Sequence, residues 1–160
     1  MPGCQHPGVT LHRAAWADID SATLYALMKL RVDVFVVEQE CPYPELDGRD
    51  LEPGTEHLWS ADEAGPTAYL RVLDDPDGRL RIGRVCTRAD ARGRSLAGKL
   101  MTAVVAGLEP GREAVLDAQA HLTGWYARYG FTAGGPEYLE DGIPHVPMNR
   151  PADQSVTAGR

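Results

Sequence analysis

A strand-like segment leads through a basic, glycine-containing loop into an amphipathic helix between residues 79 and 108. The loop runs Arg92-Gly93-Arg94-Ser95. Apolar residues then recur at the spacing of one helical face, namely Leu96, Leu100, Val104 and Leu108. The first turn of a helix has N–H groups without intrahelical partners and the positive end of the helix dipole. This junction therefore predicts an anion site, and its arginines favour a phosphate.

One candidate for such a site is a P-loop, because Gly93 is followed after four residues by Gly98 and Lys99. The next position in that pattern needs a hydroxyl to ligate Mg²⁺, and here it is Leu100, on the apolar face of the helix. This disfavours a P-loop nucleotide hydrolase, which would bind ATP or GTP with Mg²⁺. Taken alone, the stretch is also compatible with an ordinary strand-to-helix turn with solvated arginines.

A second candidate is the pyrophosphate loop of the GCN5-related N-acetyltransferases (GNAT), which Arg92-x-x-Ser95-x-Ala97 resembles with Ser in place of the central Gly. Two further segments are similar to the same family. The run from Leu30 to Gln39 resembles its first helix, and Tyr126-x-x-x-Gly130-Phe131 resembles a later helix and its end. The three landmarks occur in the family's order.

Four motifs resemble the ElaA-like acetyltransferases within that family. They are Val-Phe-Val-Val-Glu-Gln-x-Cys-Pro-Tyr at 34–43, Asp47-Gly48-x-Asp50, Ala-Gln-Ala-His-Leu at 118–122 and Glu-Asp-Gly-Ile-Pro-His at 140–145. The resemblance covers about residues 9–150 and implies a single GNAT domain, with disordered ends at 1–8 and 151–160. The implied fold is α/β (α+β type), with a central mixed, mostly antiparallel twisted sheet of about seven strands flanked by helices.

Local patterns predict the element order β-α-β-β-β-α-β-α-β-β. After a strand at 9–16, Asp18 or Asp20 caps a helix that runs to about Glu38. The Pro-, Gly- and Asp-rich stretch 39–53 is long enough for a functional loop beside the acceptor. The remaining predicted elements are strands at 56–61, 67–73 and 80–87, a helix at 95–108, a strand at 114–118, a helix at 121–129, a strand from 131 and an edge strand at 145–150.

Composition limits the classes of partner. The net charge is −7, which argues against nucleic acid, whereas the arginines clustered at 79–94 suit a small polyanion. The three cysteines are odd in number and widely spaced, which argues against a disulfide framework and a zinc site, so we expect no metal. The sequence has no signal peptide and no apolar run that could span a membrane, so we expect a cytoplasmic protein, either a monomer or a homodimer.

The resemblance implies an N-acetyltransferase that uses acetyl-CoA as co-substrate and transfers its acetyl group to a primary amine by direct attack in a ternary complex. Tyr126 occupies the family's general-acid position and is the expected general acid. The alternative is a core residue on one apolar helical face, and Tyr129 is its local competitor. Cys86 is interpreted as a residue lining the cleft rather than as a nucleophile. The residues expected to bind the cofactor are Val85, Cys86, Thr87, Arg92, Gly93, Arg94, Ser95, Leu96, Ala97, Gln119 and Tyr126.

The acceptor side is less constrained. Glu38 is the first choice as general base; Asp117 and three histidines are alternatives, and no base is needed if the amine arrives neutral. The residues expected to contact the acceptor are His57, His121, Tyr138 and His145. The sequence does not identify the amine. The competing functional hypothesis is a non-catalytic acyl-CoA-binding sensor or interaction domain.

Overall fold

A computed structural model describes residues 9–152. The disorder predicted for residues 1–8 and for 153–160 lies outside this range. The strands are β1 Thr10–Ala14, β2 Glu56–Asp62, β3 Gly65–Asp74, β4 Leu80–Thr87, β5 Ala114–Gln119, β6 Thr132–Ala133, β7 Tyr138–Glu140 and β8 Ile143–Arg150. The helices are α1 Ser21–Val32, continued by a π-helical turn at Asp33–Glu38, α2 Leu96–Ala106 and α3 Thr123–Ala127. Short 3₁₀ turns lie at Trp16–Asp18, Arg49–Leu51, Ala89–Ala91 and Ala120–Leu122.

All the strands join one sheet in the order β1-β2-β3-β4-β5-β8-β6, with β7 added alongside β8. Every pairing is antiparallel except that of β4 with β5. The predicted mixed, mostly antiparallel sheet is thus confirmed, but it has eight strands rather than about seven. The extra strand arises because the chain after α3 forms both the two-residue β6 and a β7–β8 hairpin, which turns at Asp141 and Gly142 with positive φ angles.

The first helix begins where a carboxylate can satisfy its free N–H groups. Of the two predicted caps, the structure selects Asp20, whose side chain accepts from the Thr23 N–H at 2.8 Å. Leu27 and Leu30 are buried on one face of α1, and the π-helical turn carries the helical path to Glu38, as expected. This face packs on the sheet with Trp59 and Tyr69.

The second helix covers the opposite face of the sheet. Its predicted apolar stripe is buried, namely Leu96, Leu100, Met101 and Val104. The helix ends at Ala106, so Leu108 lies beyond it but still packs against the same core. Gly98 allows close packing with the neighbouring segment, because a Cβ there would lie 2.6 Å from the Tyr129 hydroxyl. The third helix is shorter than the predicted 121–129, since its first turn is 3₁₀.

The alternation of side chains along β5 separates two faces. Leu116 and Ala118 point into the core beneath α2, with Tyr126 of α3 in the same cluster. Asp117 and Gln119 therefore lie on the face that also carries α1. Within residues 9–152 no helix is both long enough and apolar enough to cross a membrane.

Candidate functional site

The sheet opens between its two parallel strands. β4 and β5 pair only at Leu80 with Ala114 and at Arg81 with Val115, and beyond these pairs they separate. The gap is part of a continuous cavity of about 1610 Å³ that reaches from the start of α2 to the β7–β8 turn. Side chains from both faces of the sheet line it, Leu116 and Tyr126 from one face and Asp117 and Gln119 from the other.

A β-bulge shapes one wall of this gap. Tyr69 of β3 pairs with Cys86, and Arg71 pairs with Gly83, so Leu70 lies opposite both Arg84 and Val85. Arg84 adopts a φ of 55°, which places its backbone in the left-handed region. The bulge takes Arg84 and Val85 out of the regular ladder beside the cavity.

The loop before α2 presents its backbone to the cavity. Across residues 92–98, no N–H group is found donating to a carbonyl within the described part of the chain; the first such bond joins the Lys99 N–H to the Ser95 carbonyl at 3.1 Å. Gly93 and Ser95 both have positive φ, at 83° and 57°. Free N–H groups at a helix start suit a pyrophosphate. Leu100, by contrast, is fully buried, which removes the P-loop interpretation.

The two loop arginines differ in position. The Arg92 guanidinium donates to both oxygens of Glu38, at 2.7 Å each, and its Nε donates to the Thr87 carbonyl at 3.2 Å. Arg94 is exposed and does not line the cavity, so its predicted contact with the cofactor is not supported. The hydrogen bond from Arg92 lowers the pKa of Glu38. A carboxylate held in this way is a weak base, and the predicted role of Glu38 as general base is corrected accordingly.

Tyr126 lines the cavity with its side chain largely buried; burial raises its pKa to about 12. Within the described residues no hydrogen bond to its hydroxyl is found, and the hydroxyl oxygen keeps some exposure. Cys86 also lines the cavity, and burial raises the pKa of its thiol. A buried neutral thiol is not a nucleophile, which supports the interpretation of Cys86 as a lining residue.

Gln119 lies at the end of β5, where it borders the wider end of the gap. Its side-chain amide donates to the Gln39 side chain at 3.5 Å, across the gap from the end of the π-helical turn. His121 and His145 line the cavity near Gln119. Tyr138 does not line it; its ring stacks on that of His145 instead, with centroids 5.9 Å apart. The expected direct contact of Tyr138 with an acceptor is therefore replaced by a contact with His145.

His57 is wrongly assigned to the acceptor site by the sequence. It is fully buried in β2 and lies outside the cavity. Its Nδ1 is 2.6 Å from the Tyr69 hydroxyl and its Nε2 is 3.4 Å from the Asp50 carbonyl oxygen. Burial lowers the pKa of His57, so it is a neutral structural residue at pH 7.

Sequence reasoning missed a buried ionic network that holds the loop 39–53 against the cavity. Arg31 donates to Glu45 at 2.7 Å and to Asp50 at 2.6 Å, and Arg71 donates to Asp47 at 2.6 Å. Arg84 at the bulge donates to Glu45 at 3.0 Å. The available signal was an arginine on each of two apolar faces, in α1 and β3, together with the Asp47-Gly-x-Asp50 motif.

Side chains suited to a metal are not grouped in this cavity. Across residues 9–152, no cluster of three or more His, Cys, Asp or Glu side chains is arranged to hold a metal ion. Cys41 and Cys86 are both free thiols.

A mixed sheet that opens between two parallel strands, with a helix start at one end of the opening, is the fold of the GNAT acyltransferases. The family model described as "Acetyltransferase (GNAT) domain" matches residues 31–151, so the chain belongs to this family. Its relatives include the ElaA and UPF0039 proteins.

Three relatives show how far the similarity extends. A UPF0039 protein of Mycobacterium tuberculosis is 51% identical over 151 residues, which are 90% of this chain and 95% of the relative. The crystal structure of an acyl-CoA N-acyltransferase from Pseudomonas aeruginosa matches with a TM-score of 0.84 and 43% identity, covering 89% of this chain and 99% of that one. The crystal structure of Escherichia coli ElaA matches with a TM-score of 0.84, 34% identity and the same coverages.

Proposed function

We propose that this protein transfers an acetyl group from acetyl-CoA to a primary amine by direct attack in a ternary complex. The observation that carries the proposal is the single cavity that joins the free N–H groups before α2 to Tyr126 and continues to the opposite face of the sheet. Two substrates can enter such a cavity from opposite faces and meet in the gap. Direct transfer also needs no protein nucleophile, and the buried thiol of Cys86 offers none.

The residues present fit a CoA thioester. The N–H groups of 92–98 would hold the pyrophosphate, and the main chain from Val85 to Thr87 would polarise the thioester carbonyl. Gln119 would hydrogen-bond the pantetheine arm, with an amide that reaches one methylene further than Asn. Tyr126 would give its proton to the departing thiolate, since its raised pKa keeps the phenol protonated at neutral pH.

Calorimetric titration with acetyl-CoA, CoA and ATP with Mg²⁺ tests the cofactor. We expect micromolar binding of acetyl-CoA and no binding of ATP. Arg92→Glu should lose acetyl-CoA binding, because it places a negative charge at the pyrophosphate loop. Arg128→Glu is the matched control, with the same charge change on an exposed side chain outside the cavity, and should retain most of the affinity. Failure of the wild type to bind acetyl-CoA would refute the proposal.

Thiol release with primary amines tests transfer itself. A panel of spermidine, L-lysine and a short peptide with a free N-terminus covers polyamine, amino-acid and peptide acceptors. Amine-dependent release of CoA, with the acetylated amine identified by mass spectrometry, is the expected result. Tight binding of acetyl-CoA without turnover of any amine would instead favour the non-catalytic acyl-CoA-binding hypothesis.

A further inference from the structure

Removing Glu38 as general base leaves four of the candidates named from the sequence. His57 is buried outside the cavity, and Asp117 is held by Arg81, which donates to its Oδ2 at 2.8 Å. His121 is exposed at the rim, with no recorded hydrogen bond to fix its ring within the described residues. His145 differs from these, because it is half-buried, lines the cavity and has a fixed ring.

A backbone carbonyl fixes the protonation of the His145 ring. Its Nδ1 lies 2.7 Å from the carbonyl oxygen of Ile143. A carbonyl oxygen can only accept, so the proton must be on Nδ1 and the lone pair of the neutral ring is on Nε2. Stacking on Tyr138 further restricts the ring. The basic nitrogen is therefore positioned by the fold before any substrate binds.

The register of the sheet places this ring beside Gln119, on the face opposite Tyr126. His145 pairs directly with Gln119 across β5 and β8, so their Cα atoms are about 5 Å apart and their side chains share a face. Gln119 reaches across the gap to Gln39 on that same face. Tyr126 belongs to the core cluster on the other face, with Ala118.

We infer that Nε2 of His145 is the general base for the acceptor amine, an inference that rests on the proposed acetyl transfer. Nε2 takes a proton from the ammonium form of the amine, which frees the nitrogen lone pair to bond to the acetyl carbon. The adduct then loses its second nitrogen proton to water, the C–S bond breaks, and the departing thiolate takes the Tyr126 proton. Solvent then reprotonates Tyr126 and deprotonates His145. The base and the acid thus act from opposite faces of the sheet.

Several charged and titratable groups line the same cavity as His145 or contact its ring. They are Asp117 on β5, Tyr138 and Glu140 on β7, Asp141 in the turn, His121 in the 3₁₀ turn, Glu38 at the end of the π-helical turn and Arg81 on β4. The kinetic test must therefore distinguish the His145 ring from its neighbours, which a pH profile alone does not do.

The first experiment measures thiol release with spermidine and with hydroxylamine, whose nitrogen is mostly unprotonated at neutral pH. His145→Gln should lower kcat/KM for spermidine about 10²-fold. The loss with hydroxylamine should be much smaller, because that nucleophile arrives neutral. Added imidazole should partly restore the turnover of spermidine by His145→Ala. Equal losses with both nucleophiles, or no rescue, would overturn the assignment.

Two controls accompany this measurement. His12→Gln removes an exposed ring on β1 that stacks on Trp59 and should leave turnover unchanged. Glu38→Gln should retain most of the kcat/KM for spermidine; a loss as large as that of His145→Gln would return the role to Glu38. Thermal unfolding of each variant shows whether the fold is intact.

A second experiment does not depend on turnover. The ¹⁵N resonances of the His145 ring should show the neutral Nδ1–H tautomer, and a neutral ring protonated on Nε2 would overturn the inference. If the wild type acetylates neither nucleophile, the proposed function fails while the tautomer still decides whether His145 offers a basic nitrogen to the cavity.

Discussion

The backbone of Ser95 lies in the left-handed region, at φ 57° and ψ 31°, directly before α2. A side chain in this conformation costs about 1–2 kcal/mol relative to glycine. This backbone conformation explains why the family's pattern has glycine at this position. Serine keeps the same turn but lowers the stability of the protein. We predict that Ser95→Gly raises the free energy of unfolding by about 0.5–1 kcal/mol, because strain relief exceeds the entropy that glycine loses on folding.

Urea unfolding followed by circular dichroism measures this difference. Ser95→Ala is the matched control, since it removes the hydroxyl but keeps the Cβ and hence the strain. A Ser95→Gly variant that is less stable than wild type would show that the serine side chain makes a stabilising contact greater than the strain.

Tyr126 provides a second prediction at this scale. Tyr126→Phe should lower kcat for acetyl transfer about 10²-fold or more, because the thiolate loses its proton donor. The Kd for acetyl-CoA should change little. Because burial raises the pKa of Tyr126 to about 12, no loss of activity from its ionisation is expected up to about pH 10. Tyr129→Phe, the neighbouring phenol outside the cavity, should behave like wild type in the same assay.

Individual residues also show where sequence reasoning succeeds and fails. Tyr126 and Gln119 line the cavity, where the family resemblance placed them, whereas helical spacing alone is equally consistent with Tyr126 as a core residue. His57 was assigned to the acceptor because a histidine in a strand carries no sign of whether its side is buried. The left-handed conformation at Arg84 arises from a bulge against β3, which depends on the register of two strands.

The π-helical turn and the phosphate loop are separate elements joined by the Glu38–Arg92 pair across the cavity. Both side chains are 44% exposed, so the pair contributes at most about 1 kcal/mol. The Glu38 carboxylate also repels a phosphate that approaches Arg92. We predict that Glu38→Gln tightens acetyl-CoA binding about two- to fivefold and retains most of the turnover.

Calorimetry and the thiol-release assay measure the two effects separately. Glu52→Gln is a suitable control, because it also removes a carboxylate that lines the cavity but pairs with Arg49 instead of Arg92. Weaker acetyl-CoA binding in Glu38→Gln would mean that the pair positions Arg92 for the phosphate.

Among the elements, the loop 39–53 could be predicted in part from the sequence. Its composition predicted an irregular functional loop, and it lines the cavity with only one 3₁₀ turn inside it. Its anchoring could not be predicted, because Arg31 on α1, Arg71 on β3 and Arg84 on β4 meet its carboxylates only after the sheet and helix have assembled.

At the scale of the whole molecule, buried ionisable groups determine how stability depends on pH. Burial lowers the pKa of His57 from its ordinary value of 6.5. The unfolded chain therefore binds this proton more readily, and the contribution of His57 is complete above pH 6.5 and lost as the pH falls. Asp50 behaves differently. Burial raises the pKa of its carboxyl group, but hydrogen bonds from Arg31 and the charges of the nearby arginines lower that pKa by more, so the pKa lies below 3.8.

We predict two phases of acid destabilisation. Stability should begin to fall below about pH 6.5 as His57 is protonated, and fall further below about pH 4 as the carboxylates with lowered pKa are neutralised. Urea unfolding at a series of pH values measures both phases. His57→Gln should remove the first phase and leave the second. A constant free energy of unfolding between pH 7 and pH 5 would contradict the assignment of His57.

The overall architecture was predictable because the order of the elements and the three family landmarks together determine the sheet. The number of strands was harder to predict. β6 has two residues and β7 has three, and such short strands show no pattern of alternation. The acceptor remains undetermined by the sequence, because the side chains that line its entrance come from segments far apart in the chain.

The two residue pairs that join β4 to β5 have a mechanical consequence. They form a narrow hinge between two half-sheets, one carrying α1 and the other carrying the β7–β8 hairpin. Any molecule that fills the gap contacts both halves and restricts their movement relative to each other. Occupancy of the gap and rigidity of the sheet are thus coupled, so a ligand that fits the space also fixes the angle between the two halves.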